Sequence, residues 1–114
     1  VEAVMAGLRP ELPGARVQVL GGINRPPMHE SASADLFPLA EKAAARIGLV
    51  GLRGVAVGGG SDGNFTAAIG VPTLDGLGPV GGGAHARDEH VVAAEMPRRA
   101  EMVARLVQSL LRDG

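Results

Sequence analysis

The sequence predicts an α/β fold, and three features of its pattern support that prediction. From residue 35 onward, helical and strand-like segments follow one another in the order helix, strand, helix, strand, helix, which is typical of α/β layers. The strand-like segments 52–57 and 71–77 are short and apolar, as strands in the middle of a sheet usually are. The last helix carries a clear apolar stripe. Two strands do not form a stable sheet alone, so we expect the remaining strands to come from residues outside this sequence.

The N-terminal part predicts one helix and one half-buried strand. Four apolar residues have the spacing of a single helical stripe: Val1, Val4, Met5 and Leu8. Pro10 ends this helix, and residues 16–20 then alternate between polar and apolar side chains, which indicates a strand with one buried face. Pro26 and Pro27 stop the strand near Arg25, because proline cannot donate to a strand ladder. The helix begins without a capping residue, so we expect a truncated chain.

Local signals set the bounds of the two central helices. Asp35 can cap a helix whose first turn tolerates Pro38, and Gly48 suits the position that ends this helix. After a run of three glycines, Ser61 or Asp62 can cap a second, short helix.

The final helix has the clearest pattern of all the predicted elements. Pro97 suits its first position, and Glu101 can pair with Arg105 one turn further along its outer face. Its apolar residues form a clean amphipathic stripe: Val103, Leu106, Val107, Leu110 and Leu111.

The composition excludes several classes of protein. With 11 Lys and Arg against 12 Asp and Glu, the chain has no strongly basic surface for nucleic acid, and its two Phe without Tyr or Trp offer few stacking platforms. The absence of cysteine excludes a disulfide scaffold and a thiol nucleophile. No apolar run approaches the roughly 18–20 residues that a membrane span needs. We therefore expect neither a nucleic acid nor a membrane as partner.

The glycine run Gly58–Gly60 followed by Ser61 is a candidate anion-binding loop. Free N–H groups at a helix start point at a ligand, and glycines let that ligand approach the backbone closely. The run lacks the Gly-Lys-Ser/Thr ending of a phosphate P-loop. On the pattern alone, a tight turn with Asp62 as a plain cap is the simpler interpretation, and a carboxylate-binding loop is the functional alternative.

Two further residues are candidates for a site. Arg25 stands between Asn24 and two prolines, and a rigidly framed arginine suits bidentate binding of a carboxylate, although a solvated charge at a strand end explains it as well. His85 follows a glycine-rich loop, from which it could reach a cleft as a metal ligand. A metal site needs three or four ligands, so the pattern alone leaves His85 a polar surface residue.

Taken in order, these motifs resemble one family. An Arg-Pro-Pro after a strand is followed by GGGSDGNFTAAIGVPTLDGLGPVGGGAH, by a Glu four residues on, and by a Pro-Arg-Arg helix. This order resembles the C-terminal part of the di-zinc metallopeptidases that include glutamate carboxypeptidase, aminoacylase, acetylornithine deacetylase and succinyl-diaminopimelate desuccinylase. The glutamate carboxypeptidase-like branch is the most similar. The resemblance extends from about Ala15 to the end of the chain.

The resemblance implies a domain division and a set of site residues. Residues 1–28 would be the last helix and strand of an inserted α+β lid domain. Residues 29–114 would be the C-terminal part of a zinc-exopeptidase catalytic domain, a mixed sheet flanked by helices. The resemblance places the final zinc ligand on His85 and the arginine that holds the substrate carboxylate on Arg25. The substrate pocket would be lined by Gly59, Gly60 and Ser61, with Asn24 as a weaker candidate.

The other metal ligands of the family and its general base have no counterpart in this sequence. The upstream His-x-Asp pair, the bridging Asp, the Glu-Glu pair, a further carboxylate and the lid histidine would all precede Val1. The resemblance therefore implies a fragment of a parent enzyme that binds two zinc ions. The parent would cleave the amide bond of N-acyl or peptidyl amino acids, with C-terminal glutamate as one candidate product. The fragment would be inactive, with no catalytic residue and no retained zinc.

The resemblance also implies partners. These are an N-acyl amino acid or peptide substrate, the remainder of the parent chain, and a second copy that pairs through the lid domain. No targeting segment is recognisable, and we expect a cytoplasmic location. Two other functions stay open: a non-catalytic module that holds a carboxylate or phosphate in the Gly58–Ser61 loop, and a regulatory remnant that pairs with an intact subunit.

Overall fold

The computed structural model describes residues 1–113, and helices account for most of its regular structure. Gly114, the last residue of the predicted catalytic part, lies outside the described residues. The α-helices are α1 (Glu2–Ala6), α2 (Phe37–Ala45), α3 (Gly63–Ala68) and α4 (Met96–Asp113), and short 3-10 helices cover Glu30–Ser33 and Ala93–Glu95. The strands β1 (Gly81–Gly82) and β2 (His90–Val91) pair antiparallel, Gly81 with Val91 and Gly82 with His90.

The core of the described residues lies between α2 and α4. Alanines on α2 face two larger residues of α4, and the buried cluster consists of Ala40, Ala43, Ala44, Met102 and Leu106. The small alanine side chains leave room for Met102, which is fully buried and has the flexibility to fill an irregular gap. Half-buried apolar residues surround this cluster, among them Leu52, Leu74 and Leu77 from the segments between the helices.

The end of α2 agrees with the sequence prediction, and its start does not. Gly48 has φ +69°, and the Leu49 N–H donates to the Ala44 carbonyl at 3.0 Å, so a left-handed glycine closes the helix as predicted. Pro38 lies in the first turn, also as predicted. Asp35 is not the cap: the helix follows Leu36 without a side-chain cap. The reason is that residues 30–36 form consecutive turns that lead directly into α2.

The predicted strands at 16–20, 52–57 and 71–77 do not pair with one another in residues 1–113. These segments have no sheet partner there, and several of their apolar side chains are exposed, Val57 by 76%. A strand is stable only when its N–H and C=O groups meet those of a neighbour, and an apolar pattern does not supply that neighbour. The mixed sheet of the predicted catalytic domain therefore stays a prediction.

The predicted apolar stripe of α4 is only partly buried. Leu106 is buried and Val103 is half-buried, whereas Val107, Leu110 and Leu111 are exposed. The predicted Glu101–Arg105 pair forms, with Nη2 and Oε1 2.6 Å apart. Pro97 is the second residue of the helix, within its first turn as expected. The contact with α2 therefore leaves the C-terminal part of the stripe exposed.

The chain buries little apolar surface for its length. Its Cα radius of gyration is 19.4 Å, whereas a compact domain of this length has one of about 13 Å. Large apolar side chains are exposed along α1, along residues 17–23 and on α4. Among residues 1–113, no helix combines the length and the apolar character needed to cross a bilayer. The stability of this chain therefore depends largely on the contact between α2 and α4.

Replacing Met102 with Ala should loosen this contact. The substitution leaves a cavity between α2 and α4, and losses of this kind cost about 2–3 kcal/mol. We expect a lower helix melting temperature in circular dichroism. Met96→Ala is the matched control, because Met96 starts the same helix and is half exposed, so it should melt close to the parent chain. Equal melting of the two variants would show that the buried cluster does not hold the chain together.

Candidate functional site

The glycine run ends in a reciprocal cap at the start of α3. The Ser61 hydroxyl accepts the Gly63 N–H at 3.0 Å, and the Asn64 side-chain oxygen accepts the Ser61 N–H at 2.9 Å. The bond from Ser61 N–H to Asn64 is the return bond of a capping box, with Asn64 in the place of the usual Glu or Gln, while the hydroxyl bond reaches only two residues along the chain. The sequence left Ser61 and Asp62 as alternative caps. Asp62 precedes the helix, but its side chain is fully exposed and makes no cap bond, and the Ser61 hydroxyl supplies the side-chain bond instead. The N–H groups of Ser61 and of Gly63–Phe65 are therefore already bonded within the protein.

Arg25 lies against this helix start. Its Nη1 donates to the Ser61 carbonyl oxygen at 2.9 Å, and its Nε donates to Asn24 Oδ1 at 3.3 Å. The guanidinium carbon lies 4.5 Å from the centre of the Phe65 ring, which is a cation–π contact. The side chain is 30% exposed, so Arg25 is anchored and still reachable from solvent. The structure thus brings together Arg25, Asn24 and Ser61, three of the residues predicted to bind substrate.

A second bond fixes the backbone beside Arg25. Asn64 Nδ2 donates to the Pro26 carbonyl oxygen at 2.9 Å, while the same side chain accepts from Ser61. We call Arg25, Ser61, Asn64 and Phe65 the arginine cluster. Sequence reasoning missed Asn64 and Phe65, although a Ser three residues before an Asn at a helix start is a recognisable variant of the capping-box signal.

The two predicted glycines differ in their relation to the arginine cluster. A side-chain carbon added at Gly60 would lie 3.7 Å from Arg25 Cδ, so Gly60 borders the arginine directly. A carbon added at Gly59 would meet no atom within 4 Å. Gly60 therefore lines the surface beside Arg25, whereas Gly59 faces open space among the described residues.

The ion pair of Arg25 is weak. Asp62 Oδ1 lies 3.9 Å from Nη1, and the Asp62 side chain is fully exposed. Exposed pairs of this kind contribute little, because water screens them and long side chains lose freedom. The hydrogen bonds of Arg25 in residues 1–113 go to neutral oxygens and use Nε and Nη1. Its positive charge is thus left largely uncompensated.

Asp75 is a titratable group beside Ser61. The Ser61 side chain and the Gly76 N–H, which donates to Asp75 Oδ1 at 2.8 Å, lower the pKa of Asp75 below its usual value. The Gly76 N–H donates to the carboxylate, and the Ser61 side chain also favours its charged form. Ser61 therefore has three roles: its hydroxyl caps α3, its carbonyl oxygen accepts the hydrogen bond from Arg25, and its side chain stabilises the charged form of Asp75.

His85 lies in the loop that joins β1 and β2. It is exposed and has φ +65°, and it is the one non-glycine residue with positive φ in residues 1–113. The loop is closed by the Ala86 N–H, which donates to the Gly83 carbonyl at 2.8 Å. Non-glycine residues in this backbone region cost energy and occur preferentially at functional sites. The hairpin thus presents the imidazole at the surface in a strained conformation.

The base of this hairpin is held by α4. Arg99 Nε donates to the Gly78 carbonyl at 2.9 Å, and its Nη2 donates to the Gly76 carbonyl at 3.2 Å. Arg98 instead pairs with Glu95 at 3.4 Å and reaches the Gly48 carbonyl. The two arginines at the start of α4 therefore hold loops in place, and Arg98 has a carboxylate partner in Glu95.

The described residues do not form a metal site by themselves. No group of three or more His, Asp or Glu in residues 1–113 could hold a metal ion. The other two histidines have local partners: His29 Nδ1 accepts the Ser31 N–H at 3.2 Å, and His90 Nδ1 lies 2.9 Å from the Asp88 carbonyl. No hydrogen bond or ion pair in this part of the chain joins His85 to the arginine cluster. A metal bound by His85 would need ligands from elsewhere.

Comparison with known families places this chain among the peptidases, a class of hydrolases. The chain matches the family model described as Peptidase family M20/M25/M40 over residues 7–109. It belongs to that family, whose members are generally metal-dependent. The matched residues include both the arginine cluster and His85. Neither the curated proteins nor the solved structures give a significant match to this chain.

Replacing Ser61 with Ala should raise the pKa of Asp75 toward its ordinary value. The hydroxyl that stabilises the carboxylate is lost, while the Gly76 N–H remains. Because the folded pKa is depressed, the contribution of Asp75 to stability is present above its unfolded pKa and is lost as the pH falls through the folded pKa. Carbon-detected NMR titration of the Asp75 carboxyl would measure the change, with Ser109→Ala on α4 as the control. An unchanged pKa in Ser61→Ala would show that Ser61 does not act on this carboxylate.

Proposed function

We propose that this chain is part of a zinc-dependent metallopeptidase or amidohydrolase that cleaves the amide bond of N-acyl or peptidyl amino acids. The enzyme would be of carboxypeptidase type, in the glutamate carboxypeptidase-like branch, and could release C-terminal glutamate. Membership of the peptidase family supports the reaction class. The observation that carries the proposal further is Arg25, an anchored and reachable arginine whose charge has no strong carboxylate partner in the described residues.

Arg25 would bind the carboxylate of the substrate. A guanidinium forms two parallel, charge-assisted hydrogen bonds with a carboxylate, and this arrangement fixes both position and orientation. The contacts with Ser61 and Phe65 order the side chain beforehand, so less freedom is lost on binding. Asn24 and Gly60, which border the arginine, would complete this surface with Gly59 and Ser61. Holding one end of the substrate would place its amide bond at the reacting centre.

His85 would supply one metal ligand. We propose that the parent enzyme binds two zinc ions, which when bound lower the pKa of a water molecule and polarise the amide carbonyl. The exposed imidazole on a strained hairpin turn supports this role. His85 would act together with ligands that this chain does not contain, and its own task is to present a ring nitrogen at a fixed place.

The large exposed apolar surface supports a further part of the proposal, that the chain works as a fragment of a longer protein. Residues 1–28 would belong to a lid domain that pairs two copies, and residues 29–114 to the catalytic domain. Apolar side chains such as Val55, Val57 and Leu111 would then pack on the remainder of the parent.

Replacing His85 with Ala in the parent enzyme should lower its zinc content and abolish most hydrolysis of an N-acyl glutamate. The remaining ligands would hold the metal less tightly, because one coordinate bond is lost. Elemental analysis of dialysed protein and a ninhydrin assay of released amino acid measure the two effects. His29→Ala is the matched control, since His29 is an exposed histidine with a local partner. Full zinc content and full activity in His85→Ala would contradict the assignment.

The isolated chain should neither hydrolyse the substrate nor keep zinc after dialysis, and mixing it with the remainder of the parent should restore both. One imidazole cannot hold a metal ion against a chelator, whereas the assembled ligand set can. Calorimetry with glutamate and with inorganic phosphate tests the alternative function. A cooperative melt of the isolated chain together with measurable affinity for either anion would instead support a stand-alone binding module.

A further inference from the structure

Two consecutive residues of α3 contact Arg25 or its immediate backbone from different sides. Asn64 bonds the Ser61 N–H and the Pro26 carbonyl, both at 2.9 Å. It thereby connects Pro26, which follows Arg25, with Ser61, whose carbonyl accepts a hydrogen bond from Arg25. Phe65 places its ring 4.5 Å below the guanidinium carbon. Asn64 thus fixes the backbone beside the arginine, and Phe65 fixes the plane of its charged group.

These contacts hold the Arg25 side chain in one orientation, which the free side chain would not keep. Arginine has a long side chain with large rotamer freedom, and the exposed Asp62 lies close enough to attract it toward solvent. The groups that hold Arg25 firmly are neutral: a carbonyl, an amide and an aromatic ring. A cation held by neutral groups keeps its charge available for an incoming anion. These contacts therefore orient the guanidinium without neutralising its positive charge.

We propose that Asn64 and Phe65 are positioning residues that hold the Arg25 guanidinium for the carboxylate of the substrate. The inference rests on the proposed function, in which Arg25 binds that carboxylate. Neither residue needs to touch the reacting atoms. An interaction with a remote carboxylate is present in both the bound substrate and the transition state, so its loss raises KM and leaves kcat nearly unchanged.

The test uses the parent enzyme and two substrates, an N-acyl glutamate and the analogue in which the α-carboxylate is a carboxamide. Asn64→Ala and Phe65→Leu should each raise KM for the carboxylate substrate by about fivefold, the size of one lost hydrogen bond or cation–π contact. KM for the carboxamide should not change. Phe65→Tyr should restore the parent KM, because tyrosine offers the same ring face.

Thr66→Ala is the matched control for a general weakening of α3. Thr66 is the next residue of the helix, and its hydroxyl bonds Gly63 and Thr73 but not Arg25. This variant should affect both substrates equally or neither. If Asn64→Ala and Phe65→Leu impair the two substrates to the same extent, they act through the stability of the helix and the proposal is overturned.

Arg25→Ala separates this proposal from the proposed function. Loss of charge-assisted bonds should raise KM for the carboxylate substrate by at least about tenfold. A large effect of Arg25→Ala with none for Asn64→Ala and Phe65→Leu would overturn the positioning role alone. An unchanged KM in Arg25→Ala would overturn the carboxylate role of Arg25 as well. The ring-current shift of the Arg25 Nε–H signal gives a readout without activity: Phe65→Leu should abolish it and Phe65→Tyr should retain it.

Discussion

The candidate site depends on the hydrogen bond that Arg25 donates to the Ser61 carbonyl oxygen. This bond joins residues 36 positions apart and brings the end of the N-terminal segment onto the start of α3. The cap of α3 supports this bond. The Asn64 side chain accepts the Ser61 N–H and so fixes the Ser61 backbone, whose carbonyl oxygen accepts the hydrogen bond from Arg25. A side chain anchored in this way has lost its freedom before a ligand arrives, which is the condition for tight and oriented binding of a small anion.

The balance between buried and exposed apolar residues explains why the site is so dependent on polar contacts. Three alanines of α2 against Met102 and Leu106 form a small core, and the segments that carry Arg25 and His85 lie outside it. Hydrogen bonds from side chains to backbone carbonyls hold these segments instead, as with Arg99 and the carbonyls of Gly76 and Gly78. Bonds of this kind each contribute about 1 kcal/mol, so the loops are oriented but not rigidly packed.

What the sequence could predict follows from how local each signal is. The glycine at the end of α2 and the Glu101–Arg105 pair involve residues within a few positions of one another, and both were predicted correctly. The start of α3 was located by the same kind of signal, with Ser61 and Asp62 left as alternative caps. The strands at 52–57 and 71–77 require neighbours that a local pattern cannot specify, so their pairing was not found in the described residues. The contacts of Arg25 with Ser61 and Phe65 are equally non-local, and no spacing rule could have indicated them.

A series of interactions leads from the arginine cluster toward the hairpin. Ser61 receives Arg25 on its carbonyl and favours the charged form of Asp75 through its side chain. Gly76, whose N–H donates to Asp75, offers its own carbonyl to Arg99 at the start of α4. Arg99 also holds Gly78, from which the chain enters the hairpin that carries His85. In the proposed enzyme, the distance between the bound carboxylate and the scissile amide is a fixed property of the substrate. If Arg25 bound the carboxylate and His85 a metal, as proposed, the two would have to keep this distance, and the contacts between the start of α3 and the start of α4 would connect them.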